Sequence, residues 1–126
     1  MIKINFKHHY DKLNNLIFPT IRSPNYVKKH YLVKGRAVKI YIDNIHFGNA
    51  VFIDSEIKKL GDLSNYFLIY DGYSKGLPIF TRAEYYKLLD SFNRFSEIHP
   101  ANDEMEKSIL YFKKIPGNDS TLEDYF

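Results

Sequence analysis

The 126-residue sequence predicts an α+β domain in which a small mixed β-sheet curls toward a pseudo-barrel and helices flank it. Three observations lead there. Two-residue alternation runs through Arg36–Asp43, with Val38, Ile40 and Ile42 on one face and Ala37, Lys39 and Tyr41 on the other. Helical spacing follows Thr81-Arg82-Ala83-Glu84, where Tyr85, Leu88, Leu89 and Phe92 recur at i, i+3, i+4 and i+7. The elements follow the order β-α-β-loop-β-β-α-α-β, without the regular alternation that a doubly wound parallel sheet requires.

Each element has a local reason. Ile2 and Ile4 alternate with Lys3 and Asn5, so residues 1–6 read as a strand. Phe6, Tyr10, Leu13 and Ile17 share helical spacing, which predicts a helix over about His8–Ile17, ended by Pro19. Thr20-Ile21-Arg22 is a short β segment, broken by Ser23-Pro24-Asn25. Tyr26–Lys34 reads as a basic, aromatic loop closed by Gly35. Arg36–Asp43, a turn at Asp43-Asn44 and a return over Gly48–Ile53 form a hairpin. Leu60–Tyr70 reads as a short helix, and Asp71-Gly72-Tyr73 and Lys75-Gly76-Leu77-Pro78 as turns. Thr81 and Glu84 form a capping box for the next helix. Pro100–Glu106 is a polar connection and Ser108–Ile115 the last strand, so the domain spans 1–115 and 116–126 is a flexible tail.

Composition bounds the function. There is no Cys, which excludes disulfides, thiolate catalysis and Cys-based zinc sites. No apolar run reaches the ~20 residues of a membrane span, and the charged first ten residues lack a signal-peptide core. These features favour a cytoplasmic protein with no membrane partner. Charge is uneven. Residues 1–40 hold nine Lys/Arg against one acid, a net of +8, whereas residues 41–126 net −5. Such asymmetry is the footprint of a polyanionic partner, nucleic acid first among them.

Several motifs bear on chemistry. Thr20 and Arg22 stand two apart on one strand face, where a hydroxyl and a bidentate guanidinium together hold a phosphate or a base edge; a structural ion pair of Arg22 with Asp71 or Glu56 is the plainer alternative. Tyr26, Lys28, Lys29, Tyr31, Lys34 and Arg36 interleave aromatics with cations, the pattern that stacks bases and contacts phosphates. His8-His9 is no metal pair, since neighbours on a helix point ~100° apart. Asp103-Glu104-Glu106 is a polar turn. No phosphate loop, nucleophile elbow or zinc-protease motif is present, so no catalytic residue, metal or cofactor is assigned.

The order of Pro19-Thr20-Ile21-Arg22, Lys34-Gly35, the hairpin, Asp71-Gly72-Tyr73 and the strand Ile109–Ile115 resembles the ASCH domain of the PUA-like superfamily, over residues 2–115. The resemblance implies a curled β-barrel with a cleft between the Thr-x-Arg strand and the acidic turn, and binding of RNA, in preference to DNA, or of a modified base. Some small bacterial members are similar to hydrolases of N4-acylated cytidine, which use a Lys three residues before the Thr, the Thr itself and an acidic residue. Here Ile17 occupies the Lys position, and Gly35-Arg36 replaces the usual Gly-Asp. Lys12 stands nearby, but its helical phase sets it off the apolar stripe. The resulting expectation is a nucleic-acid-binding module without clear catalytic machinery, with an amidohydrolase of rearranged site as an alternative. Finally, Asp119-Ser120-Thr121-Leu122-Glu123-Asp124-Tyr125-Phe126 resembles a sliding-clamp-interacting peptide with Asp119 where Gln is usual. Leu122, Tyr125 and Phe126 would then anchor a replication or repair adaptor to a ring-shaped clamp.

Overall fold

The computed structural model describes residues 2–115. Five strands form one mixed sheet: β1 (Ile2–Phe6), β2 (Ile17–Arg22), β3 (Ala37–Ile42), β4 (Ile45–Lys59) and β5 (Glu106–Ile115), in the spatial order β1-β3-β4-β5-β2. Only β1 and β3 run parallel; the other pairs are antiparallel. The sheet does not close by strand pairing, yet its two edges meet. Phe6 on β1 lies 6.3 Å from Phe18 on β2, ring to ring, and the Arg22 guanidinium of β2 donates to the Asn5 carbonyl of β1 at 2.8 Å. Two bulges, at Ile40/Tyr41 and Phe52/Asp54, supply curvature.

The curl creates two cores. Ile4, Phe6, Phe18, Val38, Ile40, Ala50, Phe52, Leu110 and Phe112 fill the concave side, and Tyr10, Leu13 and Leu32 plug it. On the convex side Ile21 and Ile109 of β2 and β5 pack against Leu68 and Tyr85 of two helices, α2 (Asn65–Gly72) and α3 (Arg82–Phe92). Thr81 caps α3 as the sequence predicts: its hydroxyl accepts from the Glu84 amide at 3.1 Å. The reciprocal bond comes one residue early, because the Glu84 carboxylate accepts from the amide of Phe80. Arg82 then ties α3 down, with its guanidinium donating to the carbonyls of Leu60 and Leu63 and to the Asn65 side chain.

Several elements differ from the sequence reading. The helix expected over His8–Ile17 is a single 3-10 turn, Asp11–Asn14. Tyr10 and Leu13 are both buried, and three residues is the repeat of that tighter turn, so an α-helix is not needed to seat them. Pro19 does not end a helix but lies inside β2. It is tolerated because β2 is an edge strand with pairing on one side only. The loop Tyr26–Lys34 contains a short helix, α1 (Tyr26–Lys29). β4 is fifteen residues long rather than six, because its outer half continues along β5 after β3 has ended. Asp71 and Gly72 form the last turn of α2, not a free turn.

Candidate functional site

A cleft of about 1050 Å³ opens where the edges β1 and β2 approach beneath α3. Thr20 and Arg22 of β2, Asp71 of α2, and Asn5 and Lys7 at the end of β1 all line it, as do Lys12, Tyr85 and Lys107. Phe6, Ile21, Leu88, Leu89 and Phe92 give it apolar walls. Four cations (Lys7, Lys12, Arg22, Lys107) face two carboxylates (Asp43, Asp71), so the lining is cationic.

Its floor is a buried polar chain. Lys12 is 2% exposed, and its ammonium stands 2.6 Å from Asp71 Oδ1. The Tyr85 hydroxyl donates to the other carboxylate oxygen, Oδ2, at 2.7 Å. Asp71 thus joins the 3-10 turn to α3, and both of its oxygens are used. Burial pulls the Lys12 pKa below its usual value, Asp71 opposes that shift, and Arg22 adds to it. Burial, then the Asp71 charge, pushes the Tyr85 hydroxyl well above its usual range. Tyr10 is pushed up to about 12 for the same two reasons in the same order. Lys107 on the wall is lowered by burial. Gly72 makes the close packing possible, because a Cβ there would lie 2.7 Å from the Tyr85 ring.

Arg22 pairs with neither Asp71 nor Glu56. Its guanidinium lies over the rings of Phe6 and Tyr26, at 5.0 and 5.4 Å, while it donates to the Asn5 carbonyl. The two rings and the carbonyl together hold the guanidinium at the cleft wall.

The remaining predicted site residues lie elsewhere. Tyr26 packs against the core beneath Arg22. Lys28, Tyr31 and Arg36 line a second groove of about 840 Å³ with Val27, Leu32, Val33 and Ile57. Tyr31 is 77% exposed, and its carbonyl accepts from the Arg36 guanidinium at 3.2 Å. Lys29 lines neither depression, and Lys34 forms an exposed pair with Asp54 at 3.5 Å. Leu122, Tyr125 and Phe126 lie outside the described residues. Among the described residues, no three His, Asp or Glu side chains gather as a metal set, and no helix is long and apolar enough to cross a membrane.

No family model matches the chain. It is 34% identical over 115 residues to the uncharacterised protein MJ0364 of Methanocaldococcus jannaschii, covering 91% of this chain and 97% of that one. The chain belongs to the family of that protein. Its fold is ASCH-like. An ASCH domain from Lactobacillus crispatus JV V101 superposes with a TM-score of 0.57 at 10% identity, covering 90% of this chain and 79% of that one. Protein EF3133 from Enterococcus faecalis V583, of the DUF984 family, superposes with a TM-score of 0.60 at 13% identity, covering 91% and 76%.

Within this ASCH-like fold the residue that the sequence reading set aside is Lys12. Its predicted helical phase placed it off the apolar stripe; the 3-10 turn instead rotates it inward beside Tyr10 and Leu13. A search for a lysine at one fixed spacing before Thr20 meets Ile17, which is exposed. The sequence spacing predicts Tyr85 as a core position of α3, and it is buried there, but its hydroxyl also completes the cleft floor.

Proposed function

We propose that the chain is a nucleic-acid-binding ASCH-like module that takes one base, of RNA or of a modified nucleoside, into the cleft. The observation that carries the reading is the buried Lys12–Asp71–Tyr85 chain at the bottom of a cationic cleft with apolar walls. A buried ion pair is weak as a source of stability, and apolar replacements are often neutral or better, so its presence in a concave site favours a ligand-facing role. Lys12 would donate to a base carbonyl, Thr20 would donate to or accept from a base edge, and the flat Arg22 fork would grip the adjoining phosphate. Lys28, Tyr31 and Arg36 along the second groove would hold a neighbouring nucleotide.

The test is titration of cytidine, uridine and adenosine monophosphates and of short single-stranded RNA, for the wild type and for Arg22→Ala. Saturable nucleotide binding, weakened at least tenfold by the variant, supports the reading. Wild-type binding that Arg22→Ala leaves intact, or no binding at low salt, overturns it.

A second reading, hydrolysis of an N4-acylated cytidine, is favoured by one observation: a lysine does reach the acidic residue, at 2.6 Å, although it comes from position 12. In that reading Lys12 acts as the neutral amine: it takes the Thr20 hydroxyl proton as the oxygen attacks the acyl carbon and passes that proton to the departing amine. Water then releases the acid from the threonine. Its lowered pKa suits Lys12 to that transfer. Release of cytidine and acetate from N4-acetylcytidine, abolished by Thr20→Val, would support it; no turnover would leave the binding reading alone.

A further inference from the structure

The convex face of the sheet is covered by α2 and α3 only at its β2–β5 end. At the β1–β3–β4 end the outward positions are Lys3 and Asn5 on β1, Ala37, Lys39 and Tyr41 on β3, and His46, Asn49 and Val51 on β4. All are partly or fully exposed and not one is a carboxylate; the carboxylates Asp54 and Glu56 of this face lie further along β4, where it pairs with β5 alone. Lys3 stands directly opposite Lys39 in the parallel pairing. Like charges in register weaken a sheet, and no acid is set between these two. The Lys3 ammonium instead leans over the Tyr41 ring at 5.0 Å, and His46 flanks the same ring at 5.4 Å. This patch leads to the cleft. Asn5 lies on it beside Tyr41 and also lines the cleft, and Lys7, four residues (roughly 13 Å) along from Lys3, is at the cleft wall.

We infer that this bare sheet face is the track of a single-stranded nucleic acid whose one base occupies the cleft. The ligand is therefore a strand and not a free nucleoside. The inference rests on the binding reading above and extends it. Lys3 and Lys39 contact successive phosphates, and Tyr41, flanked by the His46 ring, offers the stacking surface for a base outside the cleft. The choice of a polyanion over a protein partner follows from the charge: the fully charged side chains among these positions, Lys3 and Lys39, are both cations, and the apolar area is one aromatic ring and two small or branched side chains.

The experiment compares uridine monophosphate with an eight-nucleotide RNA, for the wild type, Lys3→Gln with Lys39→Gln, and Tyr41→Ala. The double variant should bind the RNA about 25-fold more weakly at 0.1 M salt, with a log–log salt slope shallower by about 1.4, two contacts at ~0.7 each. Its affinity for the mononucleotide should not change, because neither lysine lines the cleft. Tyr41→Ala should weaken the RNA alone, with an unchanged salt slope. Thermal unfolding at low salt checks the fold: removing the Lys3–Lys39 repulsion should hold or raise the midpoint. If the RNA binds no more tightly than the mononucleotide, or if the double variant keeps its slope, the track is overturned while the cleft stands. If neither ligand binds the wild type, the binding reading itself has failed.

Discussion

The cleft and the basic segment around α1 both carry lysines from the same +8 stretch, and they treat them in opposite ways. In the cleft, Lys12 is almost fully buried and held by a carboxylate that a tyrosine holds in turn. Around α1, Lys28 and Lys29 are exposed, and Lys34 meets Asp54 at 3.5 Å on the open surface. Charge in the sequence is therefore a poor guide to what a lysine does. A buried charge must have fixed partners, so its neighbours are committed; an exposed one has no such demand and stays available for a mobile counter-ion.

The sharpest way to break that contrast is to remove one partner from each pair. Asp71→Ala leaves Lys12 buried and unpaired and should cost about 3–5 kcal/mol. Asp54→Ala should cost less than about 1 kcal/mol, since exposed pairs contribute little. Urea unfolding of the two variants measures the difference; equal losses would mean that the cleft floor is no more committed than the surface.

The two regions also use glycine differently, which yields a smaller effect. Gly72 is confined by contact: a Cβ would meet the Tyr85 ring at 2.7 Å and the Ile79 side chain at 2.9 Å. Gly72→Ala should destabilise by about 1–3 kcal/mol through overpacking and should displace Tyr85 from Asp71. Gly35, which closes the segment after α1, has open space around it but a φ of 87°. Gly35→Ala should cost about 1 kcal/mol by conformation alone and leave the cleft intact. Nucleotide affinity separates them, falling for Gly72→Ala and holding for Gly35→Ala.

Alkaline titration should sharpen the same contrast. Tyr10 and Tyr85 beside Asp71 have folded-state pKa values above the unfolded value of 10.0, Tyr10 at about 12. Their contribution to stability is complete below pH 10 and is lost as pH rises from 10 toward 12. Lys12 acts in the other sense. Its folded pKa lies below 10.5, so its charge costs stability at low pH, and stability rises as pH climbs through the folded value to 10.5. Stability should therefore hold or rise slightly toward pH 10 and fall beyond it, and Tyr10→Phe should blunt the fall. A fall unchanged in both Tyr10→Phe and Tyr85→Phe would place the sensitivity outside the cleft, at groups such as Tyr111, whose hydroxyl is pushed up to about 12.

Sheet and helix identities were legible where a single face is buried. The alternation of Val38 and Ile40 and the Thr81–Glu84 cap both lie where local pattern and tertiary packing agree. The 3-10 turn and the length of β4 were not legible. Both depend on partners far along the chain: Asp71 for Lys12, and residues 106–111 for the outer half of β4. At the site, Thr20, Arg22 and Asp71 were readable as chemistry and do line one cleft, whereas Lys12 was lost because its direction follows from a backbone turn that its spacing does not reveal. The bare face with Lys3, Lys39 and Tyr41 was in plain view as strand alternation, but what makes it a surface is the one-sided placement of α2 and α3.

The smallest expected effect lies on the α1 side. Lys28 lines the second groove, and Lys29, one residue on, lines neither depression. Both are exposed, so replacing them with alanine should leave stability within about 0.5 kcal/mol of wild type. If a strand leaving the cleft past Arg22 and Tyr26 enters that groove, only Lys28 meets a phosphate. The double variant should then flatten the salt slope for single-stranded RNA by about 0.7, half the change expected on the sheet face. Lys28→Ala alone should reproduce all of it, and Lys29→Ala none. Equal contributions from the two lysines would show that this segment acts as a diffuse cationic surface, with no groove-bound nucleotide. A loss near 1.4 would make α1 as deep a contact as the sheet, and the difference drawn between committed and solvated lysines would then not extend to binding.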